Sequence, residues 1–149
     1  MFKTSHPEFY TTDIINFEKW IGDRPNFVID PFIDFDGFKN SEENFDYNTK
    51  KYKDKIIKIK GYSQIELRKI DGSFDFIYID GSHTSWDTLE DLILSFRILK
   101  HNGIIICDDY EWYKQDLYGP KPGIDAFLNI FINSYDLLFK EYQVGIKKR

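Results

Sequence analysis

Two short apolar segments, each ending in acidic residues, most constrain what this chain can fold into. The first, FDFIYID, covers residues 74–80, and the second, GIIICDD, covers residues 103–109. Both are rich in β-branched and aromatic residues, and continuous apolar runs of this length are typical of strands covered on both faces of a parallel sheet. An amphipathic segment lies between them, so the order of the three indicates a β-α-β unit.

The intervening segment, residues 84–103, carries the clearest helix pattern of the sequence. Thr84 and Asp87 have the spacing of a capping box, which predicts the start of the helix. Asn102 and Gly103 predict its end. One apolar face repeats at helical spacing and consists of Leu89, Leu92, Ile93, Phe96 and Leu99.

The rest of the chain continues the alternation of helices and strands. NFVID and KIIKIK predict strands, and the final segment, residues 135–148, predicts a hairpin of two short strands. Helices are expected near residues 11–23, 42–52, 63–70 and 121–134. The sequence therefore predicts one α/β domain over residues 1–149, with a mostly parallel sheet and an antiparallel C-terminal hairpin.

Composition argues against two classes of binding partner, nucleic acids and membranes. The formal net charge is −5, which argues against nucleic acid because phosphate binding favours a basic surface. The single cysteine, Cys107, allows no disulfide framework within the chain, which predicts a reducing, cytoplasmic location. No apolar run reaches the roughly 18–20 residues that span a bilayer, so no membrane partner is expected.

Acidic residues end three of the predicted strands. Right-handed crossovers place the carboxyl ends of parallel strands at one edge of a sheet, where ligands bind in such folds. Carboxylates that meet there repel one another unless a proton or cation intervenes, and Mg²⁺ prefers oxygen ligands of this kind. The sequence therefore predicts a shared acidic edge formed by Asp30, Asp80, Asp108 and Asp109.

Each of these residues also has an ordinary structural explanation. Asp80 precedes Gly81 and can open a turn, and Asp30 precedes a proline, which is another turn signal. Asp108 or Asp109 can cap a short helix. A lone histidine in a loop, as His83 is here, is more often a surface residue than a catalytic one.

The segment from YIDGSH, residues 78–83, through DDY, residues 108–110, together with GPKPGIDAFL and the closing YQVGIKK, resembles class I S-adenosylmethionine-dependent methyltransferases. More narrowly, residues 27–149 resemble the methyltransferase-24 type, whereas residues 1–26 diverge and contain the expected first helix. The resemblance implies a Rossmann-like three-layer α/β/α sandwich. It also implies transfer of a methyl group to a hydroxyl of a small molecule or sugar, assisted by a divalent metal.

The resemblance assigns roles to residues by position. Asp30 matches the residue that holds the ribose of the cofactor. Gly61, Tyr62 and Ser63 match the segment near its adenine. Asp80 matches the residue beside the methyl donor, and Gly81 and His83, which follow it, are assigned to cofactor binding as well. Three residues, Asp80, Asp108 and Asp109, match the ligands of Mg²⁺. Asp80 and His83 match the catalytic positions, with His83 as the group that takes the proton of the substrate.

One departure from the family pattern is large. Such enzymes begin with a strand and a glycine-rich turn that approaches the methionine part of the cofactor, whereas Gly22 is the only glycine before Asp30. The chain is therefore expected to be N-terminally truncated, to be completed by a second copy, or to bind another small ligand. The alternative function is a non-catalytic binding or assembly module that no longer binds the cofactor.

Overall fold

A computed structural model describes residues 26–34, 39–112 and 119–149 of the chain. The described residues belong to two compact units, which divide between Tyr62 and Ser63. We refer to them as the first and the second unit. The helix expected at residues 11–23 lies outside the described residues, and the single domain expected over residues 1–149 stays a prediction.

The first unit contains a pair of parallel strands. Strand β1 (Asn26–Asp30) pairs with β2 (Ile56–Lys60), with Asn26 opposite Ile56 and Asp30 opposite Lys60. Helix α1 (Ser41–Thr49) and a 3-10 turn (Lys50–Lys55) connect the two strands. The connection is the crossover that a parallel pair requires.

Polar contacts fix helix α1 in this unit. The carboxylate of Asp34 accepts hydrogen bonds from the backbone N–H groups of Asn40 and Ser41, each at 3.0 Å, and so satisfies donors at the start of the helix. Lys58 and Lys60 of β2 form ion pairs with Glu42 of α1 at 3.1 and 2.5 Å. The lysines of β2 therefore anchor the crossover helix.

The second unit contains a four-stranded sheet in the order β3-β4-β6-β5. Strands β3 and β4 are parallel, and the other neighbouring pairs are antiparallel. This confirms the predicted mixture of parallel strands and an antiparallel C-terminal hairpin. The elements in chain order are α2 (Ser63–Glu66) with a 3-10 turn (Leu67–Lys69), β3 (Phe74–Ile79), α3 (Ser85–Ile98), β4 (Leu99–Cys107), α4 (Pro120–Ile130), β5 (Tyr135–Lys140) and β6 (Val144–Lys148).

One face of this sheet packs against helices α3 and α4. Alternate residues of β3, β4 and β6 are buried on that face, as the period of a strand requires. The core is formed by Ile77, Ile79, Ile105, Cys107, Val144 and Ile146 of the sheet with Leu92, Phe96, Ile124 and Phe127 of the helices. Within the described ranges, no helix has the length and apolar character that crossing a membrane requires.

Helix α3 begins where the capping box predicts but ends earlier than expected. The Thr84 hydroxyl oxygen accepts the backbone N–H of Asp87 at 3.4 Å. At the other end, the ammonium group of Lys148 donates to the carbonyl oxygens of Phe96 and Leu99 at 2.7 and 2.8 Å, so it satisfies carbonyls that a longer helix would use. The predicted stop at Asn102, which has φ 63°, is instead an irregularity within β4.

Close contact between α3 and α4 depends on Gly123. A Cβ at this position would lie 2.0 Å from the backbone oxygen of Ser85, which no side-chain rotation can relieve. The Ser85 hydroxyl also donates to the carbonyl oxygen of Gly119 at 2.7 Å. The start of α4 is therefore held directly against the start of α3.

This contact predicts an effect of Gly123→Ala that is opposite to the usual one. In an ordinary helix interior the change stabilises by about 1 kcal/mol, whereas here the methyl group clashes with backbone. We expect a net loss of about 1–3 kcal/mol in the free energy of unfolding, measured by urea titration. Gly72→Ala is the control, because a Cβ at Gly72 would meet nothing within 4 Å. Equal stability of the two variants would contradict the tight contact.

Candidate functional site

The register of β3 and β4 brings the acidic ends of these strands together. Ile79 lies opposite Cys107, and the backbone N–H of Asp108 donates to the carbonyl oxygen of Ile79 at 2.9 Å. Asp80 therefore leaves β3 beside the point at which Asp108 and Asp109 leave β4. The two chain segments meet at the carboxyl edge of a parallel pair, where α/β folds bind ligands.

Three side chains converge at this edge. Asp80, His83 and Asp109 each offer a ligand atom, and these atoms all lie within 4.8 Å of one another. The His83 Nε2 atom lies 2.6 Å from Asp109 Oδ2 and 4.0 Å from Asp80 Oδ1. We call these three residues the acidic cluster.

The imidazole of His83 is held on a second side by an aromatic ring. Trp112 stacks on it with ring centroids 5.0 Å apart and an interplanar angle of 26°. The backbone N–H of Trp112 donates to the carbonyl oxygen of Asp109 at 2.9 Å, so a tight turn places the ring. His83 is therefore oriented by a carboxylate at its edge and by an indole at its face.

Asp109 is held by two side chains in an unusual backbone conformation. Its φ of 56° lies in the left-handed region, which aspartate tolerates better than most residues. Tyr142 donates its hydroxyl hydrogen to Asp109 Oδ1 at 2.8 Å, while His83 contacts the other oxygen. Burial raises the pKa of Asp109, but the hydrogen bonds from His83 and Tyr142 outweigh this effect and lower the pKa below its usual value.

Asp108 points to different partners from its neighbour. Tyr78 donates its hydroxyl hydrogen to Asp108 Oδ2, and Gln143 donates to Asp108 Oδ1 at 3.1 Å. The same Oδ1 atom accepts the backbone N–H of Asp109 at 2.8 Å. The structure thus brings Asp80 and Asp109 into one cluster with His83 and gives Asp108 other contacts, and its predicted role as a metal ligand stays a prediction.

Behind the acidic cluster, Gly81 lies against a buried carboxyl group. A Cβ at Gly81 would lie 3.0 Å from Asp91 Oδ2. Asp91 is 1% exposed, and neither of its oxygens has a hydrogen-bond partner within the described part of the chain. Burial raises the pKa of Asp91 to about 6, and the nearby Ser63 hydroxyl opposes this effect although it does not reach hydrogen-bond geometry. Ser63, predicted to lie near the adenine, is itself buried.

The other residues predicted to bind the cofactor lie in the first unit. Asp30 ends β1 and Gly61 follows β2, and the backbone N–H of Gly61 donates to the carbonyl oxygen of Asp30 at 3.1 Å. Asp30 Oδ1 accepts the backbone N–H of Phe32 at 2.5 Å, and the ring of Tyr62 is exposed. The first unit thus places Asp30 beside Gly61, whereas their convergence with the acidic cluster stays a prediction.

Sequence reasoning missed the contributions of three residues. Tyr78 lies within a predicted strand, and Tyr142 and Gln143 form part of the turn between β5 and β6. The one signal that points to Tyr78 is alternation, because it lies between two core residues and so faces away from α3 and α4. Alternation does not reveal that β6 lies next to β4, so the contact with Asp108 could not be found this way.

The acidic cluster fits a divalent cation. Two carboxylates and an imidazole are a donor set that transition metals accept, and the carboxylates alone suit Mg²⁺. The close spacing of the three ligand atoms allows a shared ion. Clusters of this kind also occur without an ion, and in this one His83 Nε2 and Asp109 Oδ2 already contact each other at 2.6 Å.

Comparisons with a family model and with solved structures point to the same class of protein. A family model described as a methyltransferase domain matches residues 8–110. The O-methyltransferase NovP has a TM-score of 0.68 at 18% identity, over 90% of this chain and 64% of NovP. The O-methyltransferase from Bacillus cereus, solved with SAH, has a TM-score of 0.65 at 12% identity, over 98% of this chain and 83% of that chain.

A third solved structure contains a metal. The MycE methyltransferase of the mycinamycin biosynthetic pathway, in complex with Mg, SAH and mycinamycin VI, has a TM-score of 0.58 at 14% identity. The alignment covers 99% of this chain but only 51% of MycE. No curated protein sequence matches the chain. These structural similarities confirm the Rossmann-like fold. This chain spans 64% of the length of NovP and 51% of that of MycE.

The buried carboxyl group of Asp91 predicts how stability depends on pH. Because its pKa rises from 3.8 to about 6 on folding, the unfolded chain loses this proton first as the pH increases. Stability is therefore highest when Asp91 is protonated and falls as the pH rises through 6, by about 2–3 kcal/mol in total. Asp91→Asn carries a neutral group at every pH, so we expect it to remove this loss.

Urea titrations of both proteins at pH 4 and at pH 7.5 measure the effect. Between pH 4 and pH 7.5, the wild type should lose about 2–3 kcal/mol of unfolding free energy relative to Asp91→Asn. The same difference at both values of pH would contradict a raised pKa for Asp91.

Proposed function

Because the chain belongs to the methyltransferase family whose model matches residues 8–110, we propose that it transfers a methyl group from S-adenosylmethionine to a hydroxyl oxygen of a small molecule or sugar. The observation that carries this proposal is the acidic cluster, which lies at the carboxyl edge of the parallel strands β3 and β4. Two structurally similar proteins named above are O-methyltransferases, which supports oxygen as the acceptor atom.

Methyl transfer to an alcohol needs alignment and removal of a proton. The acceptor oxygen attacks the methyl carbon in line with the departing sulfur, so positioning contributes a large part of the rate. An alcohol is a weak nucleophile at neutral pH, and a base within hydrogen-bond reach of its proton makes it a stronger one. The site must therefore contain a base that is oriented before the substrate arrives.

His83 is the base in this proposal. Its Nε2 atom lies 2.6 Å from Asp109 Oδ2, so Nε2–H donates to the carboxylate and the other ring nitrogen is left to accept the hydroxyl proton. Asp109 stabilises the imidazolium that forms, and the stacked ring of Trp112 limits rotation of the imidazole. This pairing is the general arrangement of a base oriented by a carboxylate.

A divalent cation, Mg²⁺ in the first place, is part of the proposal. Asp80 and Asp109 are the residues of the acidic cluster that would hold it, with Asp108 as the third ligand predicted from the sequence. When bound, such an ion stabilises negative charge on the acceptor oxygen and so favours its deprotonation. Asp109 is suited to this role because its lowered pKa keeps it ionised near neutrality.

Cofactor binding is proposed for residues of both units. Asp30, Gly61 and Tyr62 are the candidates in the first unit, and Ser63, Asp80, Gly81 and His83 are the candidates in the second. Asp30 and Gly61 are adjacent at the carboxyl ends of β1 and β2, which supports a nucleoside contact. We further propose a cytoplasmic protein with a small-molecule substrate, and a second copy of the chain as a partner.

A non-catalytic module is the second candidate. It is favoured by one observation, which is that residues 1–29 contain a single glycine, Gly22, whereas close approach of a turn to the cofactor favours several. Calorimetric titration with S-adenosylmethionine and with its demethylated product, with and without Mg²⁺, separates the two. Binding supports the enzyme, and no heat from a well-folded sample supports the module.

A substitution in the acidic cluster tests the catalytic proposal. Asp109→Asn removes the charge that stabilises protonated His83 and contributes to metal binding, so we expect methyl transfer to fall about 10²–10³-fold. Chelation with EDTA should lower turnover of the wild type in the same assay. The assay follows formation of the demethylated cofactor with a panel of hydroxylated acceptors.

Asp75→Asn is the matched control for charge. Asp75 lies near the amino end of β3, where it forms an exposed ion pair with Lys100 at 2.9 Å, and its replacement should leave turnover unchanged. Equal activity of Asp109→Asn and the wild type would refute the role of the cluster. Full activity in EDTA would remove the metal from the proposal and leave His83 as the base.

A further inference from the structure

We propose that Asp108 is a positioning residue, which holds Asp109 in place instead of binding the cation itself. Tyr78 and Gln143 in turn hold Asp108. The inference rests on the proposed function, because it concerns how the metal-binding carboxylate of Asp109 is presented. It departs from the assignment by resemblance, in which both neighbouring aspartates are ligands of the metal.

The carboxylate of Asp108 is already occupied by donors. Oδ2 accepts the hydroxyl hydrogen of Tyr78, and Oδ1 accepts from Gln143 Nε2 at 3.1 Å and from the backbone N–H of Asp109 at 2.8 Å. Gln143 Nε2 also lies 2.9 Å from the Tyr78 hydroxyl oxygen, so the two holding side chains contact each other. Asp109 also has donors on both oxygens, but one is His83, itself a possible metal ligand, and the other is Tyr142, which is exposed at 48%. Three donors hold Asp108, one of them a backbone N–H, so binding a cation would cost Asp108 more hydrogen bonds.

The bond from Asp109 N–H to Asp108 stabilises the conformation that the site needs. Asp109 has φ 56°, a left-handed backbone that costs about 1 kcal/mol or more for a residue with a Cβ. A local bond from side chain to backbone is the usual means by which aspartate offsets this cost. From this conformation the carboxylate of Asp109 reaches His83 at 2.6 Å.

The position of this network follows from the strands that surround it. Tyr78 lies between the buried residues Ile77 and Ile79 and so points away from α3 and α4. Asp108 directly follows β4 and Gln143 directly precedes β6, and their hydrogen bonds bring both to Tyr78. The register completes the arrangement, because Cys107 lies opposite Ile79 on one side and opposite Val144 on the other. The network therefore follows from the sheet itself.

The turn between β5 and β6 adds further contacts to the same segment. The backbone N–H of Tyr110 donates to the carbonyl oxygen of Tyr142 at 2.9 Å, and the Tyr142 hydroxyl donates to Asp109 Oδ1. With Gln143, this turn contacts Asp108, Asp109 and Tyr110 in succession. The hairpin thus holds the entire segment that carries the candidate metal ligand.

The two roles of Asp108 predict different effects of Asp108→Asn on metal binding. Asparagine keeps an oxygen that accepts the backbone N–H of Asp109 but loses the negative charge. A positioning residue needs only that oxygen, whereas a ligand of a divalent cation needs the charge as well. The effect of Asp108→Asn therefore decides between the roles.

Titration of the full chain with Mn²⁺ measures this effect. We expect Asp108→Asn to bind Mn²⁺ within about threefold of the wild type, and Asp108→Ala, which loses the acceptor of the Asp109 N–H, to bind about tenfold more weakly. Asp75→Asn is the matched control for charge, because Asp75 forms an exposed ion pair with Lys100 and its replacement should leave the affinity unchanged. An equal loss of affinity in Asp108→Asn and Asp108→Ala would overturn the inference.

A second measurement needs no metal and keeps the inference testable if the wild type does not bind Mn²⁺. Asp108→Asn retains an oxygen that accepts the Asp109 N–H, whereas Asp108→Ala does not. In NMR spectra of the metal-free protein, the amide and Cα shifts of Asp109 should stay near their wild-type values in Asp108→Asn and move in Asp108→Ala. Equal shifts in the two variants would refute the positioning role, and a wild type that fails to bind Mn²⁺ would refute only the metal in the proposed function.

Discussion

The parallel pairing of β3 with β4 is the constraint on which the candidate site depends. Because Ile79 lies opposite Cys107, the next residues of both strands leave the sheet side by side. The apolar runs that precede them fix this register, since a shift by one residue would turn Ile79 and Cys107 away from α3 and α4. The free energy that holds the carboxylates near one another therefore comes from burial of the strands behind them, and the carboxylates themselves contribute repulsion.

Side-chain hydrogen-bond donors offset that repulsion, and all of them except Tyr78 of β3 come from outside the two strands. Asp109 accepts hydrogen bonds from His83 and Tyr142. Asp108 accepts hydrogen bonds from Tyr78 and Gln143. Hydrogen bonds to the ionised form favour it, which explains why the pKa of Asp109 is lowered although burial raises it. The same donors would compete with a cation for the carboxylate oxygens. A carboxylate held in this way would bind a metal only if one of its oxygens gave up a hydrogen bond. Asp109 meets this condition more easily than Asp108, because its partner Tyr142 is half-exposed.

Much of the fold could be predicted, because the strongest patterns belong to buried elements. The apolar runs of β3 and β4, the cap of α3 at Thr84 and the final hairpin are all present in the structure. Two features were not predictable from local pattern. Helix α3 ends early because Lys148, some fifty residues later in the chain, caps its carbonyl groups. Within the candidate site, the sequence predicts His83 and the acidic strand ends as site residues, and this stays a prediction. The different contacts of Asp108 and Asp109 depend on one left-handed residue and on a hairpin turn that is distant in sequence.

The division of the chain into two units bears on the choice between enzyme and module. The acidic cluster, the residues that orient it and Asp91 behind it all belong to the second unit, whereas Asp30 and Gly61 belong to the first. The groups proposed to activate a hydroxyl are therefore held by packing within one unit and do not depend on cofactor contacts for their geometry. A chain of this kind could lose its affinity for the cofactor and still keep an ordered acidic cluster. The acidic cluster is thus a property of the second unit alone, and affinity for the cofactor is the property in which an enzyme and a module of this fold differ.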